Sequence, residues 1–235
     1  MIKYNKQIVN RSSSFIDNND QYVLMCSSGV DSIAGVHYIL PKIKKTDILN
    51  FMVVHYNHKI RPQNDLMQYS FMQFMHKELP SFPSFCLNRE EDGVELHTEA
   101  QFRETRYNHL MKMFHKQVFI TFHHLNDCVE SYLLNCIRGH DGYQPIPFWT
   151  ICENRTKNVI CHPFLFTKKK DFVDYAQKHD LMKYVVEDET NTVSKGSRRN
   201  MIRNEIIPIL ERDKVGLETV IKKKMEKRLM LELLK

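Results

Sequence analysis

The chain has 235 residues, 42% hydrophobic and 26% charged; this suits one α/β domain with a short appendage, or two small domains, and its longest apolar stretches, such as residues 48–54, are far too short to span a bilayer. Six scattered cysteines with no C-x-x-C pair, and an N-terminus (MIKYNKQIVNRSSS) without an apolar core of signal-peptide length, read as reduced thiols in a cytoplasmic, non-membrane protein rather than disulfides or a zinc site. The net charge of +6 sits at one end: residues 1–194 hold 22 basic and 22 acidic side chains, residues 195–235 hold 12 and 6. That excess fits a polyanion-binding tail or a solvated lysine-rich helix, and charge alone does not choose between them.

Four strand-then-helix units follow one another. Residues 22–26 form a short apolar run broken by Ser27-Ser28-Gly29-Val30-Asp31-Ser32, with a helix over 33–40. Residues 48–56 form a β-branched second strand, followed after Pro62 by a helix on which Met67, Phe71, Phe74 and Met75 make an apolar stripe. A weaker strand at 84–87 leads to a helix over 98–114, and a strand at 118–122 leads to a helix over 126–137. Such alternation implies a doubly wound, mainly parallel sheet with ligands at the strands' carboxyl ends. Residues 140–147 read as a loop, 158–164 as a fifth strand and 168–180 as a helix. A polar irregular stretch covers 188–196. A helix over 198–210 is expected to stop near Pro208. Leu217, Ile221, Met225, Leu229 and Leu233 then recur every fourth residue, the mark of an amphipathic tail helix that needs a surface.

Five segments carry chemistry. The loop 27–32, between a strand and a helix, aims backbone N–H groups and the helix's positive end at one spot, which suits phosphate; it is no Walker loop. His55 and His58 follow the second strand as loop, cap or ligand residues. Arg103 and Arg106 lie one helical turn apart. Asp127 and Glu130, at i and i+3 beyond His123-His124, could bind an ammonium or a cation and accept a proton. The last segment pairs Asp188-Glu189-Thr190-Asn191 with a helix bearing Arg198, Arg199 and Arg203, whose forked donors suit phosphates.

In this order and spacing, these segments resemble the catalytic domain of the tRNA(Ile)-lysidine synthetase family. They match its pyrophosphate loop, V-H-x-N-H-x-x-R, E-A-x-x-R-x-x-R-Y, H-H-x-x-D-x-x-E with a later R-G, and D-x-x-N…R-N-x-I-R…P. Departures are Ser28 for the loop's first glycine, Asn126 for Asp, Cys128 for Gln, His162 for Arg before Pro163, and HDGYQPIP for a Gly-rich stretch. The family usually continues into further RNA-recognition domains, whereas only residues 211–235 follow here.

The resemblance implies an adenine nucleotide alpha-hydrolase-like α/β fold. It divides the chain into an N-terminal extension (1–19), an ATP-pyrophosphatase domain (20–210) and a basic helical tail (211–235). It implies ATP and Mg2+ as cofactors. The partners it implies are tRNA(Ile) with a CAU anticodon and L-lysine, and it suggests a homodimer. The reaction would adenylate O2 of the wobble cytidine and then place lysine on C2, releasing AMP and pyrophosphate. Asp31 would serve Mg2+–ATP, Arg103 the phosphate or transition-state charge, and Asp127 and Glu130 the lysine ammonium. Ser27, Ser28, Gly29, Val30, Asp31, Ser32, His58, His123, Arg138 and Gly139 would line the nucleotide site. Arg198, Arg199 and Arg203 with Lys222, Lys223 and Lys224 would meet RNA. The rivals are a thiolase of the same superfamily, a small-molecule ligase or amidotransferase, and a non-catalytic RNA-binding relative. Thiolases usually carry Lys in the loop and Cys pairs, where this chain has Val30 and none.

Overall fold

The computed structural model describes residues 1–16, 21–89, 96–140, 146–152, 157–187, 197–213 and 215–234. Its strands are β1 (Tyr22–Met25), β2 (Phe51–Asn57), β3 (Ser84–Asn88), β4 (Val118–Ile120), β5 (Trp149–Ile151) and β6 (Val159–Cys161). They form one sheet in the order β3-β2-β1-β4-β6-β5. All neighbours are parallel except β5, which runs antiparallel to β6. Alternate side chains take opposite faces: Leu24 and Ile120 join one apolar cluster, while Val23 and Phe119 join the other. Chain order reverses at β1, which pairs β2 on one edge and β4 on the other. In a parallel sheet that reversal opens a crevice at the carboxyl ends of the two central strands.

The helices are α1 (Lys6–Ser13), α2 (Val30–Ile39), α3 (Pro62–Glu78), α4 (Glu99–Met113), α5 (Leu125–Ile137), α6 (Lys169–Lys178), α7 (Arg198–Met201), α8 (Ile207–Arg212) and α9 (Leu217–Leu233). Local chemistry sets their starts. Thr98 caps α4 in a reciprocal box with Gln101, and Pro62 occupies the first turn of α3, where its missing N–H costs nothing. Gly35 lets α2 close on the end of β4, because a Cβ there would fall 2.1 Å from the Phe122 ring.

Four features differ from the sequence-based expectation. The N-terminal segment is part of the domain: Ile2, Ile8 and Val9 are buried in the main core, and Asn5 N–H donates to Pro163 C=O. The second strand begins at Phe51, since residues 45–50 form a 3-10 turn with Leu49 in solvent. Strand β5 lies beyond the expected loop; three residues are too few to show a period of two. The helix of 198–210 does not stop at Pro208. A π turn over Ile202–Ile206 widens the backbone, and Pro208 then sits in the first turn of α8. Residues 188–196, read as irregular, lie outside the described residues.

The tail helix α9 packs on α5, with the expected stripe of Ile221, Met225 and Leu229 buried and Lys168 on Glu218 at 2.8 Å. Among the described residues, no helix is long and apolar enough to cross a membrane.

Gly35→Ala should destabilise the fold by about 3 kcal/mol through overpacking against Phe122, lowering Tm by roughly 5–10 °C. Phe122→Leu in the same chain should recover part of that loss in a thermal melt. An unchanged Tm for Gly35→Ala would show that α2 does not need this close approach.

Candidate functional site

The loop after β1 carries the first part of the site. Ser32 in the first turn of α2 ties it together: its Oγ donates to Gly29 C=O at 2.9 Å and accepts from Ser27 N–H at 3.1 Å. The N–H groups of Val30 and Asp31 precede any intrahelical acceptor, so they and the helix dipole face the crevice. Ser28 adopts φ 64, the left-handed conformation that glycine takes most cheaply. Its Oγ donates to Met67 C=O at 2.7 Å, and its own carbonyl accepts from Val186 N–H at 3.0 Å. These bonds offset a backbone cost of about 1–3 kcal/mol and keep the turn tight without the family's glycine.

His124 is the hub. It caps α5 at the end of β4 and is 3% exposed. Its Nε2 lies 3.5 Å from Asp31 Oδ2 and its Nδ1 3.4 Å from Asp127 Oδ2. Burial alone would push this imidazole down, but Asp127, then Asp31 and Glu130, outweigh it and raise its pKa. The same Nδ1 is placed to accept from Asp127 N–H at 3.3 Å, which only a ring unprotonated at Nδ1 can do. The two carboxylates favour the charged ring, and protonation at Nδ1 would exchange this bond for the contact with Asp127 Oδ2. Asp127 is pushed down to about 2: burial opposes this, and His124, His123, the His124 backbone N–H and Arg199 together outweigh it.

Glu130, one turn along, is 2% exposed. Arg203 grips it with two forked donors, Nε to Oε1 and Nη2 to Oε2, both 2.7 Å, and Arg199 Nε adds a third at 3.1 Å. The same guanidiniums stand 3.7 and 3.8 Å from Asp127 Oδ1. Arg199 and Arg203, expected to contact phosphates, are here half-buried partners of acidic residues, because two buried carboxylates on α5 require compensating charge. Glu130 is occupied by them and does not present a free carboxylate.

His58 and His123 stand at the carboxyl ends of β2 and β4. Burial and the Arg106 and Arg89 charges lower His58 to about 4. Burial, with Arg103 nearby, lowers His123 to about 4. Arg103 is exposed on α4 with its guanidinium 5.3 Å from the Tyr107 ring centroid. Arg138 and Gly139 end α5, Gly139 at φ 71. Thirteen helical residues put them roughly 20 Å along the axis from His124, so the structure does not bring them to the loop; Gly139 serves helix termination. Arg198 is exposed at the start of α7. Lys222 faces Glu226 at 3.7 Å, and Lys223 and Lys224 are exposed. Residues 188–191 lie outside the described residues.

The other departures have local reasons. Asn126 Oδ1 accepts from Lys169 N–H at 3.0 Å, so this side chain joins α5 to α6. Cys128 is fully buried in the core. His124, part of the H-H-x-x-D-x-x-E element, and His162, a departure before Pro163, lie near these residues, and Thr121, which the sequence did not mark, bonds His123 and His162. The signal for His124 was its spacing three before Asp127, that of an N-cap and its N3 partner.

Mg2+ fits the loop. Asp31 Oδ1 is buried without a hydrogen-bond partner, and Mg2+ commonly takes one or two carboxylates with phosphates and water completing its shell. Among the described residues, no group of three His, Cys, Asp or Glu forms a cage of its own.

A family model described as the PP-loop domain matches residues 2–210. The tRNA(Ile)-lysidine synthase of Wigglesworthia glossinidia brevipalpis is 30% identical over 208 residues, spanning 84% of this chain and 50% of that protein. The tRNA(Ile)-lysidine synthase of Francisella philomiragia is 27% identical over 208 residues, spanning 87% of this chain and 48% of that protein. The chain thus spans about half the length of the curated relatives it matches. Among solved structures, the U34-tRNA thiolase NcsA from Methanococcus maripaludis superposes with a TM-score of 0.65 at 13% identity, over 96% of this chain and 80% of that one. That likeness is one of fold.

Four histidines here are neutral by burial: His55, His58 and His123 at about 4, and His162 well below its ordinary 6.5. Each has a folded pKa below its unfolded one, so the unfolded chain binds more protons between pH 6.5 and 4. The stability these groups contribute is complete above 6.5 and is lost as pH falls toward 4. His124, shifted the other way, offsets part of this. Tm should therefore drop between pH 6.5 and 4, and more shallowly for His162→Gln than for the unmodified chain. Equal slopes would mean that His162 is not buried neutral.

Proposed function

We propose, since this chain belongs to the PP-loop domain family, that it uses ATP to adenylate a base oxygen of tRNA and then replaces that oxygen with an amine. The substrates in this reading are the wobble cytidine of a CAU-anticodon tRNA(Ile), L-lysine and ATP, as the names of the relatives suggest. The observation that carries it is the joining of a phosphate-type loop to an acidic pocket through one buried imidazole.

The chemistry follows from charge. An amide-like carbonyl is a poor electrophile until its oxygen becomes a phosphate ester. The cytidine O2 attacks the α-phosphorus of ATP, and pyrophosphate leaves against the N–H groups of Val30 and Asp31 and the Ser27 hydroxyl. Mg2+, held by Asp31, would neutralise phosphate charge. Arg103, exposed on α4, supplies a cation at the rim. The lysine ε-amine then attacks C2 and AMP departs. Asp127, ionised at neutral pH, draws in and orients the lysine ammonium, and the amine that attacks C2 has first given its proton to solvent. Glu130 anchors Arg199 and Arg203, which compensate Asp127 and line the pocket. His58 and His123 contact the nucleotide as neutral rings. The exposed Lys223 and Lys224, with Lys222 and Arg198, meet RNA phosphates.

Incubation with tRNA(Ile) transcript, lysine and labelled ATP should yield AMP and pyrophosphate, and Asp31→Ala should abolish both while the far-UV spectrum is unchanged. Stoichiometric ADP would sink the assignment.

If the tail helps to hold RNA, charge reversal at Lys222, Lys223 and Lys224 should weaken tRNA binding and flatten its salt dependence. For every phosphate the variant no longer neutralises, the slope of log affinity against log salt should shrink by roughly 0.7–0.9, with ATP binding retained. An identical salt slope would leave α9 a purely structural helix.

A further inference from the structure

One peptide unit joins β1 to the phosphate-type loop, and two side chains hold it from opposite sides. Cys26, the first residue after β1, donates its N–H to Val54 C=O of β2 at 2.9 Å. Its carbonyl lies 2.9 Å from Nδ1 of His55, the next residue of β2. On the other side of the same peptide, Ser27 N–H donates to Ser32 Oγ at 3.1 Å, and that hydroxyl donates in turn to Gly29 C=O at 2.9 Å. Cys26 and His55 are each 2% exposed. The His55 ring lies against Phe71 of α3, centroids 5.4 Å apart at 23°.

A trans peptide is planar, and its C=O and N–H point in opposite directions. A donor on the carbonyl and an acceptor on the N–H therefore fix which way the plane faces. Turned over, the plane would lose both bonds, and two buried backbone groups would be left unpaired. The His55 contact has a single sense. A carbonyl oxygen can only accept, so Nδ1 carries the proton. Burial lowers this ring to about 4, so at neutral pH it has one N–H and Nε2 is a bare acceptor. Nε2 is buried with no hydrogen-bond partner among the described residues, a state that a lone acceptor tolerates better than a donor.

We propose that His55 is a positioning residue for the nucleotide: with Ser32 it clamps the Cys26–Ser27 peptide in the orientation from which the loop presents its N–H groups to phosphate. That the loop takes a nucleotide rests on the function proposed above; the clamp does not. Ser32 holds the loop from within, whereas His55 ties it to the neighbouring strand and, through Phe71, to α3.

Two replacements of nearly the same shape separate the hydrogen bond from the ring. Asn sets an amide nitrogen where Nδ1 stands, Leu has no donor, and both lose the stack on Phe71. In full-length His55→Leu the Ser27 amide should exchange with solvent about tenfold faster, and Mg2+–ATP should bind about tenfold more weakly by calorimetry. His55→Asn should recover most of both. In the unmodified chain, long-range proton–nitrogen spectra of histidine-labelled protein, with His55 assigned by loss of its signals in His55→Asn, should show Nδ1 protonated. A ring protonated on Nε2 instead overturns the proposal with no variant needed. So does a measurable ATP affinity that is equal in the Asn and Leu variants. If no chain binds ATP while the tautomer and the Ser27 exchange behave as expected, the proposed function fails and the clamp stands.

Discussion

Two carboxylates from neighbouring strands, Asp31 after β1 and Asp127 after β4, are held on either side of one buried imidazole. Like charges this close and this sheltered repel through a medium that screens poorly. His124, whose pKa they raise, stands between them, and the guanidiniums of Arg199 and Arg203 close the far side of Asp127. The architecture serves this arrangement. Only where strand order reverses do the ends of β1 and β4 open side by side, so a loop residue from one can meet a helix cap from the other.

That charge balance explains why the C-terminal helices belong to the site. Glu130 is deep in α5 and, alone, would carry a large desolvation cost. Arg203 satisfies both of its oxygens with a planar fork, a geometry a lysine could not reproduce. The π turn over Ile202–Ile206 lies where Arg203 makes this contact. Such turns recur at functional sites because the widened backbone redirects a side chain while the helix continues.

Much of the fold was legible in the residues. The β-branched runs and the every-fourth-residue stripe on α9 are period signals that tertiary packing reinforced. The pyrophosphate loop and the Asp127–Glu130 pair follow apolar strands in the sequence, and the fold has both at the strands' carboxyl ends. Elements too short for a period were not legible: β5 has three residues, and α1 hides Ile8 and Val9 among polar neighbours. Pairing was not legible either. Nothing in a run of arginines distinguishes a partner across solvent from one across the core, and the choice depends on where α7 packs against α5. Arg138 and Gly139 stand at the far end of α5 from His124, a separation that adjacency in a motif does not show.

The tail's place on α5 couples it to the pocket. One face of α5 carries Asp127 and Glu130, and α9 lies on that same helix with Ile221, Met225 and Leu229 buried. Lys224 Nζ stands 5.7 Å from the Tyr132 ring centroid on α5. A helix bearing two buried carboxylates cannot tilt without breaking the contacts to His124 and Arg203, and packing is stiff enough to pass such a tilt on. The surface that holds the tail is therefore carried by the same helix that positions Asp127.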